Sequence, residues 1–244
     1  MSASRLVLVD GSWLVFRAYF AIPGNFSTAD GTPTNATYGF ALMFQKLFAG
    51  KRPDLGVVCF DPPGETARNE EYAAYKGTRE AMKDDLIVQL PWIDQVVTAH
   101  GFPILRVAGV EADDVIGTLA ARASEAGHEV LIVSGDKDFA QLIDTSDGTS
   151  VRMIDTMRDV TYDADLVKKK WGVRPDQIVD LLALLGDKVD NIPGVTGIGE
   201  KGATELLGRY ETLDGIYAHL DELKPRQRSA LEKGRDNAYL SRQL

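Results

Sequence analysis

The sequence is poor in the residues that build several common kinds of site. It has one cysteine, Cys59, in 244 residues, which excludes an internal disulfide framework. Its three histidines, His100, His128 and His219, lie away from the acidic residues described below. No apolar run approaches the length of a membrane-spanning helix, and the first residues hold too short an apolar run for a secretory signal. We therefore expect a cytoplasmic protein with no membrane partner.

Positive charge is also scarce. The chain has 27 Lys and Arg against 36 Asp and Glu, which gives a formal net charge of -9. Taken alone, this net charge argues against nucleic acid as a partner. A local basic surface or bound cations can nevertheless attract nucleic acid to a chain whose net charge is negative. With 44% hydrophobic residues the composition is that of a globular protein with a sizeable core, and no solenoid repeat or low-complexity segment is present.

Short apolar runs alternate with helical patterns in the first two thirds of the chain. Four runs have the continuous apolar character of buried parallel strands, and they cover residues 5–10, 55–61, 103–107 and 128–138. From about residue 163 onward the pattern is helical throughout. This order predicts an α/β fold, a mainly parallel central sheet with helices on both faces, followed by a helical region.

Acidic residues follow each of the four runs. They are Asp10 and Asp61 after the first two, Glu111, Asp113 and Asp114 after the third, and Asp136 and Asp138 after the fourth. Ligands of parallel sheets bind beyond the carboxyl ends of the strands, so these side chains are expected to converge there. Any one of them is explained equally well as a turn or cap residue. Together they would repel one another strongly unless a cation compensated them.

A divalent metal is the natural compensation for such a group. Carboxylates without His or Cys suit Mg²⁺ or Mn²⁺ rather than Zn²⁺, and more acids than one octahedral ion can use imply two ions. Paired ions about 4 Å apart activate a water molecule and stabilise the leaving oxygen in phosphodiester hydrolysis. The acids therefore favour a two-metal phosphodiesterase.

A glycine-rich turn, residues 192–199, interrupts the helical tail. Helical spacing precedes it from residue 181 and resumes to residue 210. The glycines allow positive φ and close approach, and backbone amides at the following helix N-terminus, with Lys201 beside them, suit a phosphate. An ordinary turn with glycine caps is the alternative. Asp187 and Asp190 lie just upstream, as caps or as ligands that complete a second metal site.

The segment 65–91 mixes cations with aromatic residues: Arg68, Lys76, Arg79 and Lys83 with Tyr72 and Tyr75. That mixture fits a path for single-stranded nucleic acid. A solvated amphipathic helix face is the alternative. Arg17 and Tyr19 follow Asp10 on the first helix, where Tyr19 could equally belong to the core.

Seven motifs follow one another along the chain: LVDGSWLVFRAY, VVCFDPPGETAR, YKGTR, GVEADDVIGTLA, VSGDKDFAQL, LLGDKVDNIPGVTGIGEKGA and AYLSRQL. Together they resemble the 5′ nuclease domain of bacterial DNA polymerase I and its stand-alone flap endonuclease relatives, over nearly the whole chain. The resemblance implies a PIN-like α/β nuclease core over residues 1–165, with a helical arch near 65–91. It implies a helical region over 166–244, with a helix-hairpin-helix motif at about 178–210.

The resemblance also implies a function. It is that of a structure-specific 5′ nuclease, a 5′-3′ exonuclease and 5′ flap endonuclease of DNA replication and repair. The implied substrates are flapped, nicked or junction DNA and an RNA primer in an RNA–DNA hybrid. The implied protein is a monomer or part of a larger polymerase chain, and it works in the cytoplasm at the nucleoid.

Each of the two implied Mg²⁺ or Mn²⁺ ions receives its own ligands by resemblance. The first ion has Asp10, Asp61, Glu111 and Asp113. The second has Asp136, Asp138, Asp190 and Asp187, with Asp113 or Asp114 bridging or contacting through water.

The remaining roles are carried over in the same way. Tyr75, Lys76 and Arg79 match the residues at the base of the arch that steer the scissile phosphate, and Arg17 and Tyr19 match the border of the active site. The DNA contacts are Arg68, Lys83, Gly194, Gly197, Gly199 and Lys201. A potassium ion is expected at the turn, held by the backbone of Val195 and Ile198.

Two features depart from the family pattern. EAMKDD stands where the arch commonly has prolines, and Ala67 stands where an aromatic residue is frequent. The alternative functions are a non-catalytic junction-binding module and a PIN-like ribonuclease. A phosphohydrolase with an Asp nucleophile would need a second acid after the first strand, and DGS offers only one.

Overall fold

The computed structural model describes residues 4–50, 53–145 and 150–244. Its contacts divide the chain into two compact units, Met1–Thr66 with Glu80–Asp163 and Ala67–Arg79 with Ala164–Leu244. The short segment Ala67–Arg79 therefore belongs with the helical tail. None of the described helices is long and apolar enough to cross a membrane.

Among the described residues, all the strands lie in the first unit. They are β1 (Arg5–Asp10), β2 (Leu55–Cys59), β3 (Ile104–Leu105), β4 (Glu129–Val133), β5 (Ser150–Asp155) and β6 (Val160–Tyr162). The helices of both units, in chain order, are α1 (Gly11–Ala21), α2 (Asn35–Leu47), α3 (Ala67–Glu71), α4 (Asp84–Ile87), α5 (Leu90–Ala99), α6 (Ala112–Glu125), α7 (Ala164–Trp171), α8 (Ile178–Leu185), α9 (Glu200–Tyr210), α10 (Leu213–Ala218), α11 (Pro225–Lys233) and α12 (Arg235–Gln243).

The six strands form one sheet in the order β3-β2-β1-β4-β5-β6. The first five are parallel, and β6 runs antiparallel to β5. The order reverses direction between β1 and β4, which is the switch point where open α/β sheets bind their ligands. The predicted mainly parallel sheet is confirmed, and it places a crevice between the carboxyl ends of β1 and β4.

Both faces of the sheet are covered by helices. Successive strand residues point to opposite faces. Val7 and Val9 of β1 belong to one hydrophobic cluster with side chains of α1, α2 and α5. Leu8, between them, is also fully buried, and α6 packs against β1 and β4. Burial on both faces explains why β1 reads as a continuous apolar run.

Three local features differ from what the sequence pattern suggests. The stretch 65–101, which is charged and mostly helical in pattern, holds three short helices, α3, α4 and α5, and residues 72–83 are not helical. The residues after Asp136 form a 3₁₀ helix, Lys137–Leu142, instead of a regular α-helix. Strands β5 and β6 were not predicted, since β5 carries polar residues and alternates between buried and accessible positions.

The second unit contains the predicted helix-hairpin-helix. Helices α8 and α9 flank the glycine-rich turn, as expected. Gly186 and Gly194 both have positive φ, at 69° and 60°, and lie back to back. A Cβ on Gly194 would lie 2.4 Å from the backbone nitrogen of Gly186, so only glycine fits there. The Gly194 N–H donates to Ser241 Oγ of α12 at 3.1 Å, which fixes the turn against the last helix.

Candidate active site at the carboxyl edge of the sheet

Asp10 lies at the switch point of the sheet. It is the last residue of β1 and the N-cap of α1, where its Oδ1 accepts from the Trp13 N–H at 2.9 Å. Its Oδ2 accepts from Ser134 Oγ at 2.8 Å, across the crevice after β4. The residue is 3% exposed. Its carboxylate is therefore buried and held by one hydrogen bond to each oxygen.

The pKa of Asp10 is raised chiefly by burial, with a smaller contribution from neighbouring carboxylates. Burial raises the pKa of this carboxyl to about 7, against the hydrogen bonds from Trp13 and Ser134. The nearby carboxylates of Asp136 and Asp61 raise it further. Like charges gathered in this way disfavour ionisation unless a cation is present. Asp136 and Asp61 therefore lie near enough to act on Asp10, as the places of these acids at the ends of β1, β2 and β4 predict.

Asp61 and Glu111 are fixed by the loop and helix that follow β2 and β3. The Asp61 N–H donates to Ser12 Oγ at 2.9 Å, and Asp61 Oδ1 accepts from the Ala112 N–H at 2.9 Å, at the start of α6. Glu111, the residue before α6, is 5% exposed, and its Oε1 accepts from Thr66 Oγ1 at 3.2 Å. Hydroxyl and amide donors therefore orient these carboxylates.

Asp136 begins the 3₁₀ helix after β4. Its Oδ1 accepts from the Asp138 N–H at 3.0 Å, and its own N–H donates to Ser134 Oγ at 3.1 Å. Asp113 and Asp114 occupy the first turn of α6 and are partly buried, as is Asp138. The Ser134 hydroxyl joins Asp10 and Asp136 into one network.

The donor chemistry of this edge fits a hard divalent cation. Its acidic groups are carboxylate oxygens, and a cation beside Asp10 would favour the ionised carboxylate that burial disfavours. Among the residues that the structure describes, however, no three His, Cys, Asp or Glu side chains come close enough together to hold one metal ion. The structure does not gather all seven acids around one point, and the full ligand set stays a prediction.

Sequence reasoning missed the hydroxyl residues of this network. Ser12, Ser134 and Thr66 each hydrogen-bond an acidic residue or its backbone. Two of them stand within two residues of a strand-end aspartate, in DGS and SGD, and that adjacency was an available signal.

Burial raises the pKa of the Cys59 thiol to about 12, with Asp10 beside it contributing. The thiol therefore stays protonated and is no nucleophile.

Arg17 and Tyr19 project from α1 within the first unit. The Arg17 guanidinium donates to the side chain and the carbonyl of Thr156 and lies 5.3 Å from the Trp13 ring centroid. The Tyr19 hydroxyl donates to Asp85 at 2.9 Å, and Lys83 Nζ is 6.0 Å from its ring. Tyr19 is only partly buried, so it is not simply a core residue.

In the second unit, the loop Asp187–Ile192 holds the segment that carries Lys76 and Arg79. Lys76 has a positive φ of 54°, and its N–H donates to the Asp190 carbonyl at 2.9 Å. Arg79 forms an ion pair with the Asp190 carboxylate. Asn191 Nδ2 donates to the Ala74 carbonyl at 2.8 Å. These contacts fix the backbone turn from which both cations project.

The other predicted residues of this unit have mixed placements. Tyr75 is 5% exposed, and Lys76 Nζ lies 4.9 Å from its ring centroid, so its ring packs instead of offering an open stacking face. Arg68 Nε donates to the Leu244 carbonyl at 2.6 Å. Asp187 Oδ1 accepts from the Val189 N–H at 2.7 Å, as a loop cap does.

The hairpin turn presents backbone amides at the start of α9. Gly199 is the N-cap and provides no side-chain cap, and Lys201 in the first turn is exposed. Gly197 has a φ of 96° and is exposed, whereas Val195 and Ile198 bury their side chains. Uncapped amides at a helix N-terminus beside an exposed cation can bind a phosphate.

Comparison with known families identifies the chain. Residues 5–172 match the model of the 5′-3′ exonuclease N-terminal resolvase-like domain, and residues 173–244 match that of the 5′-3′ exonuclease C-terminal SAM fold. The chain belongs to the 5′-3′ exonuclease family. The resemblance drawn from the seven motifs is therefore confirmed.

Family members of two lengths are similar to this chain. A 5′-3′ exonuclease of Aquifex aeolicus is 42% identical over 219 residues, which are 90% of this chain and 74% of the relative. DNA polymerase I of Pseudomonas aeruginosa is 46% identical over 252 residues, and that of Caldicellulosiruptor bescii is 42% identical over 244 residues. The matches cover 100% and 98% of this chain but only 27% and 28% of the two polymerases. The chain thus spans about a quarter of the length of these polymerases.

Solved structures share the fold. The bacteriophage T5 flap endonuclease, in a complex with DNA and metal ions, has a TM-score of 0.80 at 22% identity, covering 98% of this chain and 87% of that one. The catalytic core of Rad2 in complex with DNA substrate has a TM-score of 0.58 at 20% identity, covering 96% and 73%. The fold shared with these two structures therefore extends over nearly the whole chain.

Proposed function

We propose that this chain is a structure-specific 5′ nuclease that hydrolyses DNA phosphodiesters with two divalent ions, Mg²⁺ or Mn²⁺. The observation that carries the proposal is the buried Asp10 carboxylate at the β1–β4 switch point, whose pKa is raised by burial and by Asp136 and Asp61. Membership of the 5′-3′ exonuclease family and metal ions in a T5 relative support the same chemistry.

The acidic residues at the carboxyl edge of the sheet would hold the metal ions. When bound, the ions would supply the Lewis acidity that phosphodiester hydrolysis requires. Asp10, Asp61, Glu111 and Asp136 would hold them, in orientations fixed by hydroxyl and amide donors. Asp113, Asp114, Asp138, Asp187 and Asp190 stay predicted ligands.

Cations of the chain would neutralise phosphate charge. Following the resemblance, we assign Lys76 and Arg79 to the scissile phosphate. Two contacts from the 187–192 loop hold the backbone of their turn, and Arg79 is paired with the Asp190 carboxylate. Tyr75 is assigned to packing beneath Lys76. Arg17 and Tyr19 stay predicted border residues, and Arg68 and Lys83 stay predicted DNA contacts.

The substrates follow from the same proposal. They are flapped, nicked or junction DNA, and an RNA primer within an RNA–DNA hybrid. The chain would act as a monomer or as part of a longer polymerase, in the cytoplasm at the nucleoid. Potassium at the hairpin turn stays a prediction; the Val195 carbonyl accepts from the Ile198 N–H at 3.1 Å and retains a second lone pair for a cation.

The deciding experiment is digestion of end-labelled flapped, nicked and gapped duplexes with Mg²⁺ or Mn²⁺, with EDTA as control and the product ends mapped. We expect metal-dependent cuts near the junction that leave 5′-phosphate ends. Binding without cutting in either metal would favour the non-catalytic junction-binding module. Preference for RNA of the same shape would favour the ribonuclease.

Manganese is expected to bind without any substrate. Isothermal titration of the purified chain with MnCl₂ should show binding with about two ions per chain, because paired acidic sites are implied. The same titration after Asp10→Asn should lose at least one ion. A wild-type titration without heat of binding, or an unchanged stoichiometry in the variant, would contradict the metal assignment.

Lys201→Ala is expected to flatten the salt dependence of duplex binding. Loss of one phosphate contact lowers the slope of log K against log salt by about 0.9. Arg209→Ala is the matched control, since Arg209 lies on the same helix α9 but is paired with Glu222 at 2.7 Å. Fluorescence anisotropy over a range of KCl concentrations measures both slopes. Equal slopes for the two variants would reject the phosphate contact.

A further inference from the structure

The turn between β5 and β6, residues 156–159, lies at the same edge of the sheet as the acidic residues. β5 pairs in parallel with β4, and the Ser134 N–H donates to the Ile154 carbonyl at 3.2 Å, one residue before the end of β5. Neighbouring parallel strands end at one edge of a sheet. The carboxyl end of β5 therefore brings Thr156 beside the strand end that is followed by Asp136.

Asp155, the last residue of β5, fixes the conformation of this turn. It is 1% exposed, and its carboxylate accepts from the Met157 N–H at 2.8 Å, the Arg158 N–H at 3.3 Å and Arg158 Nη1 at 2.7 Å. Burial alone would raise the pKa of this carboxyl, but the hydrogen bonds from Arg158 and Met157 hold it below its ordinary value. The charge of Asp155 is thus balanced within the turn, and Thr156 is held in one place.

Thr156 binds the guanidinium of Arg17 through two neutral oxygens. Its Oγ1 accepts from Arg17 Nη1, and its carbonyl accepts from Arg17 Nη2 at 3.4 Å. A guanidinium carries five N–H donors. Among the residues that the structure describes, Arg17 forms no ion pair and no other side-chain hydrogen bond. Three of its N–H donors therefore remain for another acceptor.

Trp13 connects Arg17 to the acidic edge. The guanidinium lies 5.3 Å from the centroid of the Trp13 ring. A Cβ on Gly135 would lie 2.5 Å from Trp13 Cζ2, so the ring packs directly against the backbone next to Asp136. The Trp13 N–H donates to Asp10 at 2.9 Å. The ring of Trp13 thus places the cation of Arg17 close to the network that joins Asp10 and Asp136.

The anchor of Arg17 leaves its positive charge uncompensated. Burial lowers the pKa of this guanidinium and Asp155 raises it, and an arginine side chain stays charged in either case. A carboxylate anchor would neutralise the cation, whereas the oxygens of Thr156 orient it and keep its charge for an anion. The fork of N–H donors on a guanidinium matches the oxygens of a phosphate group.

We propose that Thr156 is a positioning residue of this nuclease, which holds Arg17 so that its remaining N–H groups bind a phosphate of the DNA strand at the carboxyl edge of the sheet. This role rests on the nuclease function proposed above. The resemblance places Arg17 at the border of the active site. The structure adds the group that holds it there, on a strand pair that the sequence pattern did not predict.

The test is a double-mutant cycle on Thr156 and Arg17. The Kd of a flapped duplex is measured by fluorescence anisotropy, in EDTA so that no strand is cut. Thr156→Val removes the hydroxyl acceptor and keeps the shape of the side chain, and we expect it to raise the Kd by roughly three- to tenfold. In the Arg17→Ala background the same change should alter the Kd by less than about 1.5-fold, because the hydroxyl then has no guanidinium to hold. Arg17→Ala itself should lower the slope of log K against log salt by about 0.9.

Two further variants separate positioning from packing. Thr156→Ser keeps the hydroxyl and should keep the Kd within about twofold of the wild type. Thr161→Val is the matched control, since Thr161 is an exposed residue of the adjacent strand β6 and loses the same hydroxyl. Thermal unfolding followed by circular dichroism shows whether each variant is folded, and Thr156→Ala replaces Thr156→Val in the cycle if valine lowers the unfolding midpoint.

The results have distinct meanings. An equal Kd for Thr156→Val and Thr161→Val would overturn the positioning role, and so would an equal effect of Thr156→Val with and without Arg17. A Kd for Thr156→Ser as weak as that for Thr156→Val would also overturn it, since the methyl group would then be at fault. Cleavage of the flap by the wild-type chain in Mg²⁺ is measured separately. A wild type that binds but does not cut would overturn the nuclease function, while the binding cycle still judges Thr156.

Discussion

Asp136→Asn is expected to lower the rate of flap cleavage by roughly 10²- to 10³-fold, because metal-ion stabilisation of a transition state is worth several kcal/mol and each 1.4 kcal/mol is tenfold. The substitution removes the charge and keeps the shape. Asp136 is the N-cap of the 3₁₀ helix and accepts from the Asp138 N–H at 3.0 Å, which Asn can also do. The loss should therefore appear in catalysis and not in folding.

The measurement is single-turnover cleavage of a labelled flap at saturating enzyme in Mg²⁺. Glu129→Gln is the matched control, since Glu129 lies on the same strand β4, at its amino end, in an exposed ion pair with Arg5 at 3.1 Å. Exposed pairs of this kind contribute little to stability. A cleavage rate for Asp136→Asn close to that of the control would show that Asp136 is not a metal ligand needed for cleavage.

Gly194→Ala is expected to destabilise the second unit by roughly 2–6 kcal/mol. The left-handed conformation costs a non-glycine residue about 1–3 kcal/mol. Overpacking adds about 1–3 kcal/mol. The new Cβ would lie 2.4 Å from Gly186 N and 2.5 Å from Leu185 C, and backbone atoms cannot swing aside as a side chain can. The helix-hairpin-helix turn must then shift, and duplex binding should weaken with it.

Urea denaturation followed by circular dichroism measures this effect. Gly208→Ala is the control, since Gly208 lies on the exposed side of α9 with nothing within 4 Å of its Cβ position. That change should be neutral or stabilise the unit by about 0.5–1 kcal/mol, because alanine is the better helix former. An unfolding midpoint of Gly194→Ala equal to that of the wild type would show that the close glycine contact is not required.

Local sequence determined the strands that carry the acids and the hairpin of the tail. β1, β2 and β4 are buried on both faces, so each is an apolar run that periodicity alone can find, and an aspartate stands at the end of β1 and shortly after β2 and β4. The glycine turn between α8 and α9 was predicted for a similar reason. Helical spacing on either side and glycines between are local signals that tertiary contacts did not override.

Only the tertiary structure decided which groups act on one another. The pKa of Asp10 depends on burial and on Asp136, which lies 126 residues further along the chain. A local sequence pattern cannot predict an interaction between residues so far apart. The positive φ of Lys76 is held by a hydrogen bond to Asp190, which lies 114 residues further along the chain. Sequence fixes side-chain chemistry and local backbone preference. Charge coupling, desolvation and ion pairing depend on distances that arise only when remote segments pack together.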